Sequence, residues 1–271
     1  MKIIDAHIHC CFDFEPFSET AAFAGHKNTK EHIEKVFAEN NIVHAVVMGN
    51  ISVEPSENKY PKNMSYCVGL DSNCFEKDKK EYFINKVEEN LKLRECVGIK
   101  IYPGYCQYYV NDEVYAPFYE LAAKYNKPVA IHTGALSRPD GKLKYSHPIR
   151  IDDIAVDFPK TRFVMCHFGN PFLQEAAAVA EKNSNVSIDL SGLIEGNFDL
   201  EDYFKKNKYY INVLKCWINY FGDYKRIMYG SDWPIVNIKK YIEFIKRIIP
   251  EKYHEYVFYK NAVEIYGLEE K

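Results

Sequence analysis

Short apolar runs rich in β-branched residues recur along the chain, at residues 2–9, 43–50, 64–71, 96–103, 128–134, 162–169, 185–192 and 226–234. Each has the length and composition of a buried strand and is followed by a polar connection. Between them, residues 29–41, 79–93, 116–126, 149–158, 171–182 and 211–221 space their apolar positions three and four apart, as do residues 239–249 and 255–266 after the last run. That spacing predicts helices with one buried face. Parallel strands need helical crossovers and eight of them close on themselves, so the alternation predicts a (β/α)₈ TIM barrel. A doubly wound open sheet is the competing arrangement. Against it, no GxGxxG follows the first run, and a histidine pair stands where a dinucleotide would bring its phosphates. No Pro-, Gly- or Ser-rich linker divides the sequence, so residues 1–271 read as one domain. Residues 10–28 are long and weakly patterned, which suits a lid.

Composition narrows the partners. Apolar residues make up 47% of the chain and charged residues 27%, enough for a substantial core. The net charge of -3, from 35 basic and 38 acidic residues, involves no long run of either sign. That excludes a nucleic-acid or membrane-surface footprint and points to a small-molecule substrate. The eight cysteines form no CxxC pair and read as reduced thiols of a cytoplasmic protein. Asp5, His7 and His9 interrupt the apolar stretch a secretory signal needs, and no later run approaches the roughly 20 apolar residues of a membrane span. Nothing in the sequence bears on oligomeric state.

Candidate chemistry begins at Ile3-Ile4-Asp5-Ala6-His7-Ile8-His9. Strict strand alternation puts Ile3, Asp5, His7 and His9 on one face and Ile4, Ala6 and Ile8 on the other. Imidazoles two residues apart stand about 7 Å apart at their roots, close enough to share an ion beyond the strand end. Barrel sites form at the C-terminal ends of strands, where the sequence also places Lys100, His132, His167 and Asp232. A hydrogen-bonded buried polar group accounts for any one of these alone. A metal accounts for several imidazoles and a carboxylate converging on one ring of strand ends.

Asp5-Ala6-His7-Ile8-His9, Gly98-Ile99-Lys100-Ile101-Tyr102-Pro103, His132-Thr133-Gly134, His167-Phe168-Gly169 and Gly230-Ser231-Asp232-Trp233-Pro234 together resemble the amidohydrolase superfamily. The likeness is to its branch of TIM-barrel metal-dependent hydrolases, which also holds nonoxidative decarboxylases, and it spans residues 2–268. Residues 145–159 are similar to the segment that branch carries between strands five and six. The resemblance implies that His7, His9, His132 and Asp232 hold one divalent metal and that His167 orients or deprotonates the attacking water. Nitrogen-rich ligands with one carboxylate prefer Zn2+, with Mn2+ or Fe2+ admissible. Such an ion lowers the pKa of a bound water toward about 7, and Asp232 would take its proton and return it to the leaving group.

In other branches the strand-four lysine is carbamylated and bridges two metals. An ion pair of Lys100 with Asp5 or Asp189 is the reading adopted here, and with it a single metal. The loops at 102–109 and 137–145 overhang the metal, and their tyrosines with Arg138 or Lys144 suit a small acidic or aromatic substrate. Cys10, Cys11 and Cys106 are expected near the site without taking part, and Trp233 is expected to pack at the mouth of strand eight. The resulting expectation is a metal-dependent hydrolase of a small amide, lactone or related carbonyl compound. The alternative is a nonoxidative decarboxylase; a noncatalytic barrel is disfavoured because no expected ligand is replaced.

Overall fold

The computed structural model describes residues 1–12, 14–72 and 75–270. Its eight strands are β1 (Ile3–Ile8), β2 (Ile42–Met48), β3 (Met64–Leu70), β4 (Cys96–Ile101), β5 (Val129–Ile131), β6 (Phe163–Met165), β7 (Val186–Asp189) and β8 (Ile227–Met228). They lie in sequence order in one sheet, each parallel to the next. Backbone bonds then bring the two edges together. Ala6 N–H donates to Tyr229 O (3.0 Å), Asp232 N–H to His7 O (2.8 Å) and His9 N–H to Trp233 O (2.8 Å). The predicted (β/α)₈ TIM barrel is the observed fold.

The crossover helices show why the sequence chooses this layering. Lys30–Glu39 turns Ile33, Val36 and Phe37 to the sheet, and the Thr29 side chain caps it by accepting from His32 N–H. Ile238–Ile248 buries Ile238, Tyr241, Ile242, Phe244, Ile245 and Ile248 on one face, capped by Asn237. Each large apolar side chain taken out of water contributes about 1.5–3 kcal/mol. This outer layer surrounds a smaller cluster inside the strand ring: Ile4, Ala6, Val46, Met48, Cys67, Ala130, Val164 and Met228. Ala262, Ile265 and Tyr266 of the last helix join it from the end where the strands begin. There Arg162, just before β6, donates to Glu264 O at 3.3 Å, and Arg94, just before β4, pairs with Glu269.

Several expectations need correction. Alternation along β1 is not strict: its register against β2 shifts between Asp5 and Ile8. Ile4 and Ala6 therefore pack inside the ring while Ile3 and Ile8 join the outer layer. Strands β5, β6 and β8 are shorter than predicted: they end at Ile131, Met165 and Met228, so His132, His167 and Asp232 lie in the segments that follow. The weakly patterned segment at 10–28 contains a helix, Glu15–Phe23, which buries only Ala21 and so shows no period. Leu200–Lys206 is also helical and buries nothing, and the last predicted helix is a π-turn at Tyr256–Lys260 running into Asn261–Tyr266. Among the described residues no helix is long and apolar enough to cross a membrane.

β2 and β3 approach so closely that a Cβ on Gly69 would stand 1.6 Å from Gly49 O. Gly69→Ala is expected to lower stability by at least 1–3 kcal/mol, the usual cost of overpacking. Urea unfolding followed by circular dichroism measures it.

Candidate metal centre

The closing bonds between β1 and the segment after β8 set His7, His9 and Asp232 side by side. His9 Nε2 lies 3.3 Å and His7 Nε2 3.5 Å from Asp232 Oδ1. The far side of each ring meets an acceptor: His7 Nδ1 faces Asp189 Oδ2 at 2.9 Å, and His9 Nδ1 faces Met48 O at 3.1 Å. An acceptor there requires the proton on Nδ1, which leaves both Nε2 atoms of the neutral rings bare. With both rings in the neutral form, two lone pairs and a carboxylate oxygen converge. His7 Nε2 and Asp232 Oδ1 are sealed from solvent without a hydrogen-bond partner among the described residues. Such orphaned acceptors are costly when buried, and a cation between them removes the cost. The donor set fits a divalent metal.

His167 is the third imidazole of this group, since its ligand atom, that of His7 and that of Asp232 lie within 4.8 Å of one another. It sits in a 3₁₀ turn after β6 with left-handed φ of 61°, followed by Phe168 at 46°, and Asp232 has φ 60°. Left-handed conformations cost L-residues roughly 1–2 kcal/mol each. They persist because their amides are fixed: His167 N–H donates to Asp189 Oδ1 at 3.0 Å and Asp232 N–H to His7 O at 2.8 Å. His132 is not turned to Asp232. Its Nδ1 lies 3.1 Å from His167 Nε2, and its Nε2 lies 2.9 Å from Ala135 O. It thus reaches the centre through His167.

Burial favours the neutral form of these rings. It holds His7 down at about 4, drives His132 well below the ordinary imidazole value with help from His167 and Lys100, and lowers His167 against the pull of Asp232 and Asp189. For Asp232 burial works upward, but hydrogen bonding from His9 and the charge of His7, His167 and His9 when those rings carry the proton outweigh it and keep the carboxyl below its usual range. Asp189 is likewise held low against burial, chiefly by His7. Neutral nitrogens around ionised carboxylates are what a metal centre requires.

Lys100 departs from expectation. Its fully buried amine meets Cys166 Sγ at 2.9 Å and lies 5.2 Å from the Tyr102 ring centre, and among the described residues no carboxylate pairs with it. Asp5 and Asp189 are otherwise engaged: Asp5 Oδ1 accepts from Ser231 N–H at 2.8 Å, and Asp189 serves His7 and His167. Burial pushes Asp5 up to about 7. Cys10 and Cys11 are pushed up by burial to about 12 and about 11, which keeps them as inert thiols. Seven cysteines are free, and Cys74 lies outside the described residues.

The walls are aromatic. Phe17, from the helix at Glu15–Phe23, stacks on His9 with ring centres 5.9 Å apart, and Tyr102 stacks on His132 at 6.2 Å. Tyr105 lies 5.3 Å from His132 and carries the Arg138 guanidinium 4.9 Å from its ring centre. Arg138 also pairs with Asp140 at 2.9 Å, while Lys144 lies over Tyr145 instead. Trp233 is buried at the end of β8 against His26, with ring centres 4.8 Å apart. Sequence reading left Asp189 as a partner for Lys100 and missed Ser191 and Phe17. The signal for the first two was present, because the apolar run at 185–192 carries Asp189 and Ser191 two apart, the spacing that shares a face in a strand.

A parallel barrel whose C-terminal mouth gathers imidazoles and a carboxylate has the architecture of an enzyme site. A family model described as amidohydrolase matches residues 78–268, and the chain belongs to that family. No curated protein matches it in sequence. Among solved structures, an uncharacterized TIM-barrel protein from Bordetella bronchiseptica is 19% identical over 98% of both chains, with a TM-score of 0.72. A probable 2-pyrone-4,6-dicarboxylic acid hydrolase from Acinetobacter baumannii, with citric acid bound, is 17% identical over 99% of this chain and 100% of its own, at 0.64. A 5-carboxyvanillate decarboxylase from Sphingomonas paucimobilis is 13% identical over 99% of both chains, at 0.66. At these identities the likeness is one of fold.

His9→Ala removes one of the three converging atoms and is expected to lose most bound metal, measured by elemental analysis after dialysis. Equal metal content in variant and wild type would contradict the geometry. Acid should also destabilise the metal-free protein. His7 and His26 both stay neutral down to about 4 when folded, against 6.5 for an ordinary histidine, so the unfolded chain binds more protons between those values. Their contribution is present above 6.5 and is lost as pH falls toward 4. Asp5, protonated up to about 7 when folded, opposes this with a single group. The melting temperature is therefore expected to be lower at about pH 5 than at about pH 7.5.

Proposed function

We propose that this protein is a metal-dependent hydrolase of small carbonyl compounds, cleaving an amide, a lactone or a related bond by attack of water. The carrying observation is the orphaned Asp232 Oδ1 facing two bare imidazole nitrogens at 3.3 and 3.5 Å. His7, His9 and Asp232 are the proposed holders of the ion; His132, the fourth ligand that the family resemblance implies, would have to turn from His167 and Ala135 O to join them. A bound divalent ion, Zn2+ by preference, would supply the positive charge that polarises a substrate carbonyl and acidifies water.

The chain's own groups do the rest. Asp232 is held ionised, so it can accept a proton from the attacking water and return it to the leaving group. Its second oxygen lies 3.8 Å from His167 Nδ1, which places His167 to orient that water or steady the developing oxyanion. Tyr102, Tyr105 and Phe17 form flat walls that restrict water and suit a planar substrate. Arg138 on the Tyr105 face supports an acidic one.

The same groups also support nonoxidative decarboxylation, a reading favoured by a structural neighbour named as a 5-carboxyvanillate decarboxylase. In that case a protonated His167 would deliver the proton that takes the place of the carboxyl group, which leaves as carbon dioxide.

Turnover of metal-loaded protein against panels of lactones, amides and aromatic acids, with carbon dioxide monitored, separates the two. Hydrolysis without evolved gas is the expected result. Asp232→Asn should lower kcat by about 100- to 10,000-fold while retaining more metal than His9→Ala. Full activity in that variant would remove Asp232 from the chemistry.

A further inference from the structure

Asp189, at the end of β7, is fully buried and uses both carboxylate oxygens inside the protein. Oδ1 accepts from His167 N–H at 3.0 Å, from Ser191 N–H at 3.1 Å and from the Ser191 hydroxyl. Oδ2 faces His7 Nδ1 at 2.9 Å. No oxygen remains to meet a substrate. The three donors on Oδ1 fix the rotation of the carboxyl group, and the fixed group presents a pure acceptor to His7.

We propose that Asp189 is the positioning residue that sets the tautomer of His7, holding the proton on Nδ1 so that bare Nε2 faces Asp232. The consequence for metal affinity rests on the metal-centre reading above; the tautomer itself does not. Ser191 reinforces the arrangement, because its hydroxyl is bonded to Asp189 and its oxygen, 3.1 Å from His7 Nδ1, is a second acceptor there.

Asp189→Asn tests this with almost no change of shape. Two backbone N–H groups and a hydroxyl point at the Oδ1 position, so the amide oxygen must settle there and the NH₂ must face His7. His7 Nδ1 then becomes the acceptor and its proton moves to Nε2, where it blocks the lone pair. A residue that merely fills space would tolerate the exchange. Partners of ligand histidines that act in this way typically change metal affinity by about 10- to 100-fold when altered.

The experiment reads the His7 ring nitrogens by long-range ¹H–¹⁵N NMR in metal-free protein, with Zn2+ affinity measured separately by chelator competition. In wild type His7 should show a protonated Nδ1 and a bare Nε2. Asp189→Asn should reverse the pair and weaken Zn2+ binding about 10- to 100-fold, while Ser191→Ala should keep the wild-type tautomer. A His7 protonated on Nε2 in wild type would overturn the proposal without any variant, even if Asp189→Asn fails to fold. An unchanged tautomer in a folded Asp189→Asn would overturn it too. A reversed tautomer in a protein whose wild type takes up no Zn2+ would sink the metal-centre reading and leave the role of Asp189 standing.

Discussion

Three backbone hydrogen bonds tie the first strand to the segment after the eighth, and the centre exists only because they form. Two of them use His7 O and His9 N–H, and two use the peptide groups of Asp232 and Trp233, so the closing contacts and the candidate ligands are the same residues. Asp5 adds a side-chain tie to Ser231 N–H across the same seam. A net contribution of about 0.5–1.5 kcal/mol per bond is comparable to the cost of one left-handed residue. The left-handed backbone at Asp232 is therefore sustained by the seam that it helps to build.

Charge and burial act together around that seam. Burial neutralises His7, His132 and His167, while the carboxyls of Asp189 and Asp232 stay ionised among them. Asp189 is satisfied by donors on both oxygens, but Asp232 Oδ1 is not. That difference separates a carboxylate that supports the site from one that faces it.

The fold was legible because β1 to β4 are full apolar runs and the crossover helices of the predicted ring carry a regular buried stripe. The truncation of β5, β6 and β8 was not legible, since an apolar run looks the same whether its last residues pair in a sheet or turn away from it. His7, His9, His167 and Asp232 could be collected from their positions at strand ends, and the structure brings them together. The orientation of His132 depends on Ala135 O and His167, contacts that no spacing encodes. Lys100 was assigned a carboxylate by charge alone, whereas Cys166, the first residue after β6, supplies a thiol. Phe17 escaped notice because its helix buries a single alanine and therefore lacks a pattern.

The last helix has a consequence for traffic through the molecule. Ala262, Ile265 and Tyr266 fill the inner cluster from the end where the strands begin, so the barrel is a blind cup and not a tube. Whatever reaches Asp232 arrives by the mouth and leaves by it. On the proposed function, product and fresh substrate would share that one doorway.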